Sequence, residues 1–281
     1  MPVVAMTREL GSLGHDIASG LAQELGLRLV THETVERLAR NTPLSNDGVL
    51  RCIEGRPTLI ERLRADLRGL SLYAAEEIYD LAAAGDVVIR GWGATHLLRS
   101  VPHVLCVRVC APLEVRAQRV MESFGYDNLE LARGEVRRRD AARVAAMRRR
   151  FGADWDQGSR YDLVLNTEHV GAERCIAQIK RALESTEFQP DPESRRRMEA
   201  LALAARARSA LWRNPATTAY PIAVYADMNG NPGHLRIHGF VADDRQRRDA
   251  EDIVSHIEGV KSVNNEVKPL WPRFVMKSHD G

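Results

Sequence analysis

The stretch Thr7-Arg8-Glu9-Leu10-Gly11-Ser12-Leu13-Gly14-His15-Asp16-Ile17 indicates the fold of this 281-residue chain more strongly than any other segment. It follows a short apolar run at 3–6 and precedes a segment in which apolar residues recur at helical spacing as far as Leu25. A buried strand, a turn with glycines and the start of a helix make a natural anion site, because the first amides of a helix have no partner inside it. The stretch therefore predicts a phosphate-binding loop, with an ordinary strand-to-helix turn as the alternative on spacing alone.

The loop departs from the common phosphate-loop pattern G-x-x-x-x-G-K-[ST] at three positions. Glu9 stands where that pattern has its first glycine, His15 where it has lysine and Asp16 where it has a hydroxyl. A neutral imidazole would hold a phosphate weakly near pH 7. The residues expected to bind the phosphates of a donor nucleotide are Arg8, Gly11, Ser12, Leu13, Gly14, His15 and Asp16.

Short apolar runs alternate with helical segments over residues 1–185. The runs predicted as strands lie at 3–6, 27–30, 86–90, 104–110 and 161–166. This alternation favours an α/β fold with a parallel, doubly wound sheet. Continuous apolar runs are typical of strands that are covered on both faces. An arginine-rich helix predicted at 129–150 is expected to form a lid over the site.

Lysine is absent from residues 1–179, so arginine supplies the strongly basic side chains there. Any phosphate chemistry there must therefore use arginine, backbone amides or a metal ion. In phosphoryl transfer the protein mainly positions the reactants and neutralises the charge on the moving group. The candidates for that role are Arg116, Arg119, Arg139 and Arg143, and Asp140 is expected to orient Arg143 through a bidentate pair. A solvated charged helix face is the alternative for each of them.

The acceptor side is expected to use further polar residues. Arg90 closes a predicted parallel strand, and ligands bind at the carboxyl ends of such strands. The full set of acceptor-binding candidates is Arg51, Arg90, Asp140 and Arg148. The four cysteines form no CxxC pair and are predicted to be reduced thiols rather than metal ligands.

Several segments, in order, resemble one family over residues 3–183. Besides the loop they are Ala22-Gln23-Glu24-Leu25-Gly26, Val87-Val88-Ile89-Arg90-Gly91-Trp92-Gly93-Ala94, Ala111-Pro112-Leu113-Glu114-Val115-Arg116, Asp140-Ala141-Ala142-Arg143, Asp154-Trp155 and Tyr161-Asp162-Leu163-Val164-Leu165-Asn166-Thr167. Together they are similar to the cytidylate-kinase-like branch of the P-loop kinases, whose loop reads approximately S-R-Q-x-G-S-G-G-R-E-I. The resemblance implies ATP and Mg²⁺ as cofactors. Asp16 stands where the common phosphate-loop pattern has its hydroxyl ligand, and it is a candidate to contact the metal through water. It also implies transfer of the γ-phosphate to a small acceptor such as a nucleoside monophosphate, CMP-like in this family.

Three positions depart from the family pattern. Leu13 replaces a glycine, His15 a basic residue and Trp92 an arginine. These departures bear on catalysis more than on the fold. They leave two alternatives open: a catalytically degenerate pseudokinase that senses nucleotide, and an interaction protein that has lost nucleotide binding.

The last third of the chain has a different predicted order of helices and strands. Residues 186–193 contain two prolines and are predicted to be a linker, and 194–270 read as helix, strand, strand, helix and strand, followed by a tail at 271–281. Three segments resemble a BON domain: Leu235–Asp243, Arg248–Val254 and Ile257–Val267. That resemblance implies a protein, a lipid or a hydrophobic ligand as partner, and a module that merely buries its own small core is the alternative.

The bulk properties narrow the classes of function. The formal net charge of +2 does not suggest a nucleic-acid partner. No apolar run approaches the roughly 20 residues of a membrane span, and the first six residues do not look like a signal peptide. The chain is therefore expected to be cytoplasmic, without a transmembrane segment.

Overall fold

The computed structural model describes residues 1–31, 67–91, 93–152, 155–227 and 231–270. They fall into two compact units, Met1–Ser194 and Arg195–Gly281. Among the helices described, none is long and apolar enough to cross a membrane.

The first unit is built around a five-stranded sheet. Its strands are β1 (Val3–Arg8), β2 (Arg28–Val30), β3 (Val87–Arg90), β4 (Val104–Cys110) and β5 (Leu163–Asn166). The strand order is β2-β3-β1-β4-β5, and every neighbouring pair is parallel. The parallel α/β sheet predicted from the sequence is confirmed.

Helices connect these strands. Among the residues described, they are α1 (Gly14–Leu25), α2 (Leu67–Ala84), α3 (Ala94–Leu97), α4 (Leu113–Phe124), α5 (Leu129–Phe151) and α6 (Ala172–Leu183). Three 3-10 turns lie at Leu98–Ser100, Gly158–Arg160 and Thr186–Phe188. The arginine-rich helix predicted at 129–150 is α5, which we call the lid helix.

One face of the sheet is covered by α1 and α6. Ile17 and Leu21 of α1 and Ile179 of α6 are fully buried against Met6 and Val107 of the two central strands. Each such side chain contributes about 1.5–3 kcal/mol when it is removed from water. This packing fixes the start of α1 against the end of β1, which is where the predicted phosphate loop lies.

The strand register brings the ends of three strands together. Met6 pairs with Arg90 on one side of β1, and Arg8 pairs with Val109 on the other. Since all the strands are parallel, their carboxyl ends meet at one edge of the sheet, and β1 is the central strand there. Parallel sheets bind their ligands at that edge.

The predicted linker at 186–193 is packed rather than extended. Phe188 contacts the core formed by α1 and α6, and the Gln189 side chain donates to the carbonyl of Leu183 at 2.7 Å. Asp191 and Ser194 bind each other's backbone amides at 2.7 and 3.1 Å. This segment therefore packs on the first unit, where Phe188 joins the core, and Pro192 is the first residue of the helix that follows.

The part of the second unit that the structure describes is a small mixed sheet with two helices, the first of which begins just before the boundary at Arg195. Its elements in chain order are α7 (Pro192–Arg213), β6 (Ala223–Ala226), β7 (His234–Val241), α8 (Asp244–Ser255) and β8 (Ser262–Pro269). In the sheet β6 runs antiparallel to β7, and β8 runs parallel to it. Asp243 caps α8 in a capping box with Gln246. The resemblance to BON domains stays a prediction.

Candidate active site

Two glycines shape the loop between β1 and α1. Gly11 has φ 78°, and a Cβ at this position would lie 2.6 Å from the carbonyl oxygen of Arg116. At Gly14 a Cβ would lie 2.5 Å from Cβ of Arg8. Both contacts are too short for a side chain, so the loop can adopt this close approach only with glycine.

Leu13, where the family pattern has glycine, also has a left-handed conformation. Its φ is 60°, and it stands immediately before the first residue of α1. This conformation costs a side-chain-bearing residue about 1–2 kcal/mol. The Leu13 side chain packs against the core under α1, and this packing offsets part of that cost.

The carbonyl oxygens of five consecutive loop residues accept hydrogen bonds. Arg143 donates to that of Arg8, the Ser12 hydroxyl to that of Glu9, Arg116 to that of Leu10, Arg119 to that of Gly11 and Thr167 to that of Ser12. Three of these donors are arginines from α4 and the lid helix. The backbone of the loop is therefore held from outside through its carbonyl groups.

Arg119 and Thr167 hold the far side of the loop together. Arg119 donates to the Gly11 carbonyl at 3.3 Å, and to the hydroxyl and the carbonyl of Thr167 at 3.0 and 2.7 Å. The Thr167 hydroxyl lies 3.1 Å from the carbonyl oxygen of Ser12. Thr167, which follows β5, is 1% exposed. These contacts join the end of β5 to the loop.

Glu9 places a buried carboxylate at the base of the loop. One oxygen accepts from Arg108 at 2.8 Å. The other accepts from the amide of Ala111 at 3.2 Å and lies 3.1 Å from Nε of Arg116. A carboxylate that is removed from water is stable only when it is paired in this way. Glu9 therefore ties the end of β1 to β4 and to α4.

Arg108 connects Glu9 with Trp155, which follows the lid helix. Its guanidinium donates to the carbonyl of Trp155 at 2.6 Å and lies 4.4 Å from the centre of the indole ring. Trp155 in turn donates from its indole nitrogen to the hydroxyl of Thr7 at 3.3 Å. Tyr161 donates to the same Trp155 carbonyl at 2.6 Å. Burial raises the pKa of Tyr161, although the neighbouring Arg108 charge opposes that shift.

Asp140 on the lid helix binds Arg116, at 2.9 Å, in place of the expected partner Arg143. The prediction that Asp140 orients Arg143 is therefore wrong for this structure. Arg143 instead donates to the carbonyl of Arg8 and lies 5.5 Å from the centre of the Trp155 ring. The reason is burial: Arg116 is only 6% exposed and needs two carboxylates around it, whereas Arg143 is half-buried.

The outward part of the lid helix carries a separate set of ion pairs. Arg138 and Arg139 both bind Glu135, at 2.8 and 2.6 Å. Burial alone would raise the pKa of Glu135, and the hydrogen bonds from these two arginines bring it below its ordinary value. Arg133 binds Glu114 at 3.0 Å. In this conformation Arg139, a catalytic candidate, is engaged within its own helix.

The remaining site candidates differ in how exposed their side chains are. His15 and Asp16 are exposed in the first turn of α1, Arg148 is exposed on the lid helix, and Arg90 is half-buried at the carboxyl end of β3. Arg51 and Trp92 lie outside the described residues. Their predicted contacts with nucleotide or acceptor stay predictions.

Three residues of this arrangement were not identified from the sequence: Glu9 as an anchor, Arg108 and Thr167. Arg108 offered a signal, since it is the one charged residue inside the apolar run 104–110. A charge in a strand that is covered on both faces requires a buried partner. The partner itself, Glu9, is 99 residues away in the chain, and the sequence did not indicate it.

The comparisons with known proteins concern the first unit. The model of the cytidylate kinase-like family matches residues 3–169. A cytidylate kinase of Ignicoccus hospitalis is 31% identical over 188 residues, which is 65% of this chain and 99% of the relative. A cytidylate kinase of Pyrobaculum aerophilum is 29% identical over 177 residues, or 63% and 89% of the two chains.

A solved structure supports the fold alone. The crystal structure of an uncharacterized protein from Eubacterium ventriosum superposes with a TM-score of 0.53 at 19% identity. The superposition covers 66% of this chain and 99% of that one.

Proposed function

Because the chain belongs to the cytidylate kinase-like family, we propose that its first unit binds ATP at the loop 8–16 and transfers the γ-phosphate to a small acceptor. The acceptor class proposed is a nucleoside monophosphate, and CMP is the first candidate because the relatives are cytidylate kinases. The observation that carries the proposal is the loop: of its five consecutive carbonyl groups from Arg8 to Ser12, four accept hydrogen bonds from side chains outside the loop.

That arrangement suits a bound phosphate. In a trans peptide the N–H points away from the C=O, so tying the carbonyls of Leu10 and Ser12 outward turns the amides of Gly11 and Leu13 inward. The first amides of α1 add to them, and the helix dipole favours negative charge at the same point. The loop can therefore hold phosphates with backbone amides although it has no lysine.

The residues also fit a Mg²⁺–ATP complex. Proteins usually bind Mg²⁺ through one or two carboxylates and the phosphates of the substrate. Asp16, exposed in the first turn of α1, is the carboxylate proposed for that role. The metal would supply neutralisation of the phosphate charge, while Ser12, buried and donating to Glu9, keeps the loop closed on itself.

The arginines divide into two proposed roles. Arg116 and Arg119 hold the loop through its carbonyl groups and act as positioning residues. Arg139 and Arg143 are four residues apart on the lid helix and share a face, so both can approach the transferring phosphoryl group together. Neutralising that charge is the main electrostatic contribution a protein makes to phosphoryl transfer.

The acceptor is proposed to lie beside Arg90. This residue ends β3, the neighbour of β1, so it stands next to the end of the strand that leads into the loop. Arg51 and Arg148 remain proposed contacts to the acceptor phosphate. An arginine suits that purpose because its fork binds phosphate oxygens in pairs.

The test is an acceptor screen. Purified protein is incubated with Mg²⁺–ATP and, separately, CMP, dCMP, UMP, AMP and GMP, and phosphorus NMR follows the appearance of ADP and nucleoside diphosphate. We expect equal amounts of both products with at least one acceptor, CMP first. Gly11→Ala, which disturbs the loop, is the matched negative control.

ATP binding without transfer to any acceptor would favour the second candidate, a nucleotide sensor without catalysis. Two observations support this candidate: Leu13 holds a left-handed conformation where the family pattern has glycine, and His15 is exposed at the position of the usual cation. In that case the second unit would carry the response to nucleotide.

A further inference from the structure

Arg108 is a charged residue at the centre of the sheet. It is 7% exposed and lies on β4, between Val107 and Val109, which pack into the core on the opposite face. Burying a guanidinium is costly, and removing one partner of a buried ion pair typically destabilises a protein strongly. A residue of this kind persists where its contacts position something that an apolar residue could not.

The contacts of Arg108 reach two different parts of the site. One nitrogen binds the carboxylate of Glu9 at the base of the phosphate loop, at 2.8 Å. The other binds the carbonyl of Trp155 at 2.6 Å, while the guanidinium lies 4.4 Å from the centre of the indole ring. A lysine has a single charged nitrogen and could not make both contacts with the same geometry.

Trp155 contacts both the lid helix and the sheet. The lid helix ends at Phe151, four residues earlier, and its Arg143 lies over the same indole ring at 5.5 Å. The indole nitrogen reaches Thr7 on β1, and Trp155 is 4% exposed. The segment that leaves the lid is thus fastened to the strand that leads into the loop.

We propose that Arg108 is a positioning residue that fastens the carboxyl end of the lid helix, through Trp155, to the phosphate loop, through Glu9. Its effect on a nucleotide rests on the proposed function: phosphates bound in the loop stabilise the lid, and this coupling passes through Arg108.

The test uses limited trypsin digestion, because the lid helix exposes Arg137, Arg138, Arg148 and Arg149. Mass spectrometry gives the cleavage rate at these sites and, as an internal reference, at Arg245 and Arg248 of α8 in the second unit. The variants are Arg108→Lys and Trp155→Phe in the full chain. Arg174→Lys is the matched control, since Arg174 is exposed on α6 and the substitution keeps a trypsin site.

Without nucleotide, we expect Arg108→Lys to raise lid cleavage about tenfold relative to α8 cleavage, since a charge-assisted hydrogen bond is lost. Trp155→Phe, which keeps the ring contacts but loses the bond to Thr7, should raise it about threefold. With saturating Mg²⁺–ATP, lid cleavage should slow in the wild type and in Arg174→Lys but not in Arg108→Lys. Calorimetry confirms that each variant binds ATP under these conditions.

Equal lid cleavage in Arg108→Lys and Arg174→Lys, with and without ATP, would overturn the positioning role. Equal acceleration in the lid and in α8 would also overturn it, because that result means general destabilisation. If Arg108→Lys does not fold, Glu9→Gln, which removes the charge that pairs with Arg108, takes its place, and lid cleavage equal to that of Arg174→Lys would overturn the positioning role. Failure of the wild type to bind ATP would sink the proposed function, and the digestion without nucleotide would still decide the role of Arg108.

Discussion

The first unit uses arginine in two regions with opposite surroundings. Around the loop, Arg108 and Arg116 are less than 10% exposed and each binds a buried carboxylate and a backbone carbonyl. On the outward part of the lid helix, the side chain of Arg138 is 59% exposed and pairs with a glutamate one turn away. The same residue type therefore fixes a backbone in one region and remains accessible in the other. Burial therefore separates the arginines that position the backbone of the loop from those that stay accessible on the surface.

The largest effect is expected when a buried arginine is removed. Arg116→Met leaves the carboxylates of Glu9 and Asp140 without their shared partner, and should lower the free energy of unfolding by about 3–5 kcal/mol. Urea denaturation followed by circular dichroism measures this. Arg138→Met is the matched control and should change it by about 0.5 kcal/mol or less. Similar losses for the two variants would remove the distinction between the regions.

A smaller effect is expected from a methyl group in the loop. Gly11→Ala forces a Cβ against the Arg116 backbone at a positive φ, which costs about 1–3 kcal/mol. Nucleotide binding should weaken as well, because the amides move. Gly134→Ala is the control of opposite sign: Gly134 is helical with open space around it, so alanine should stabilise the chain by about 0.5–1 kcal/mol. Thermal melting of both variants tests this, and a destabilised Gly134→Ala together with an unaffected Gly11→Ala would contradict it.

Thr167→Val tests the link between the loop and β5. The substitution keeps the shape but removes the hydroxyl that donates to Ser12 and accepts from Arg119. Leaving those buried groups unpaired should cost about 1–3 kcal/mol in the same denaturation experiment. A melting temperature unchanged from the wild type would show that the loop does not depend on this contact.

The smallest effect concerns pH. His96 packs on Phe151 at the end of the lid helix, with the ring centres 4.6 Å apart. Burial and then the neighbouring Arg160 charge lower its pKa. The unfolded chain therefore takes up a proton at His96 more readily than the folded protein does. The stability associated with neutral His96 is fully present above the unfolded pKa of about 6.5 and is lost as pH falls below that value.

His96→Gln should accordingly show less loss of stability than the wild type between about pH 7 and 5. Melting temperatures at matched pH values measure the difference. Parallel pH profiles for the two proteins would contradict the prediction.

Local sequence patterns predicted the parallel sheet and the helices that surround the site. The alternation of apolar runs and helical segments predicted the parallel sheet, and the helix predicted from Gly14 to Leu25 has those bounds. Such features depend on residues close in the chain, whose periodicity and end signals can be recognised directly.

The contacts that hold the loop depend on residues distant in sequence. The side chains of Glu9, at the end of β1, and Arg108, on the neighbouring strand β4, form an ion pair. Asp140 binds Arg116 in place of Arg143 because Arg116 is the more deeply buried cation. Spacing along the lid helix favoured Asp140 with Arg143. In the folded protein Asp140 pairs with Arg116 instead, since β4 and α4 bring Arg108 and Arg116 under the loop.

The most direct test of the account is a calorimetric titration of the purified protein with ATP, with and without Mg²⁺. We expect one saturable site per chain with a Kd below about 1 mM, tighter when Mg²⁺ is present and weakened at least about tenfold by Gly11→Ala. The absence of binding at millimolar ATP in the wild type, with or without Mg²⁺, would contradict the claim that this loop binds nucleotide phosphates.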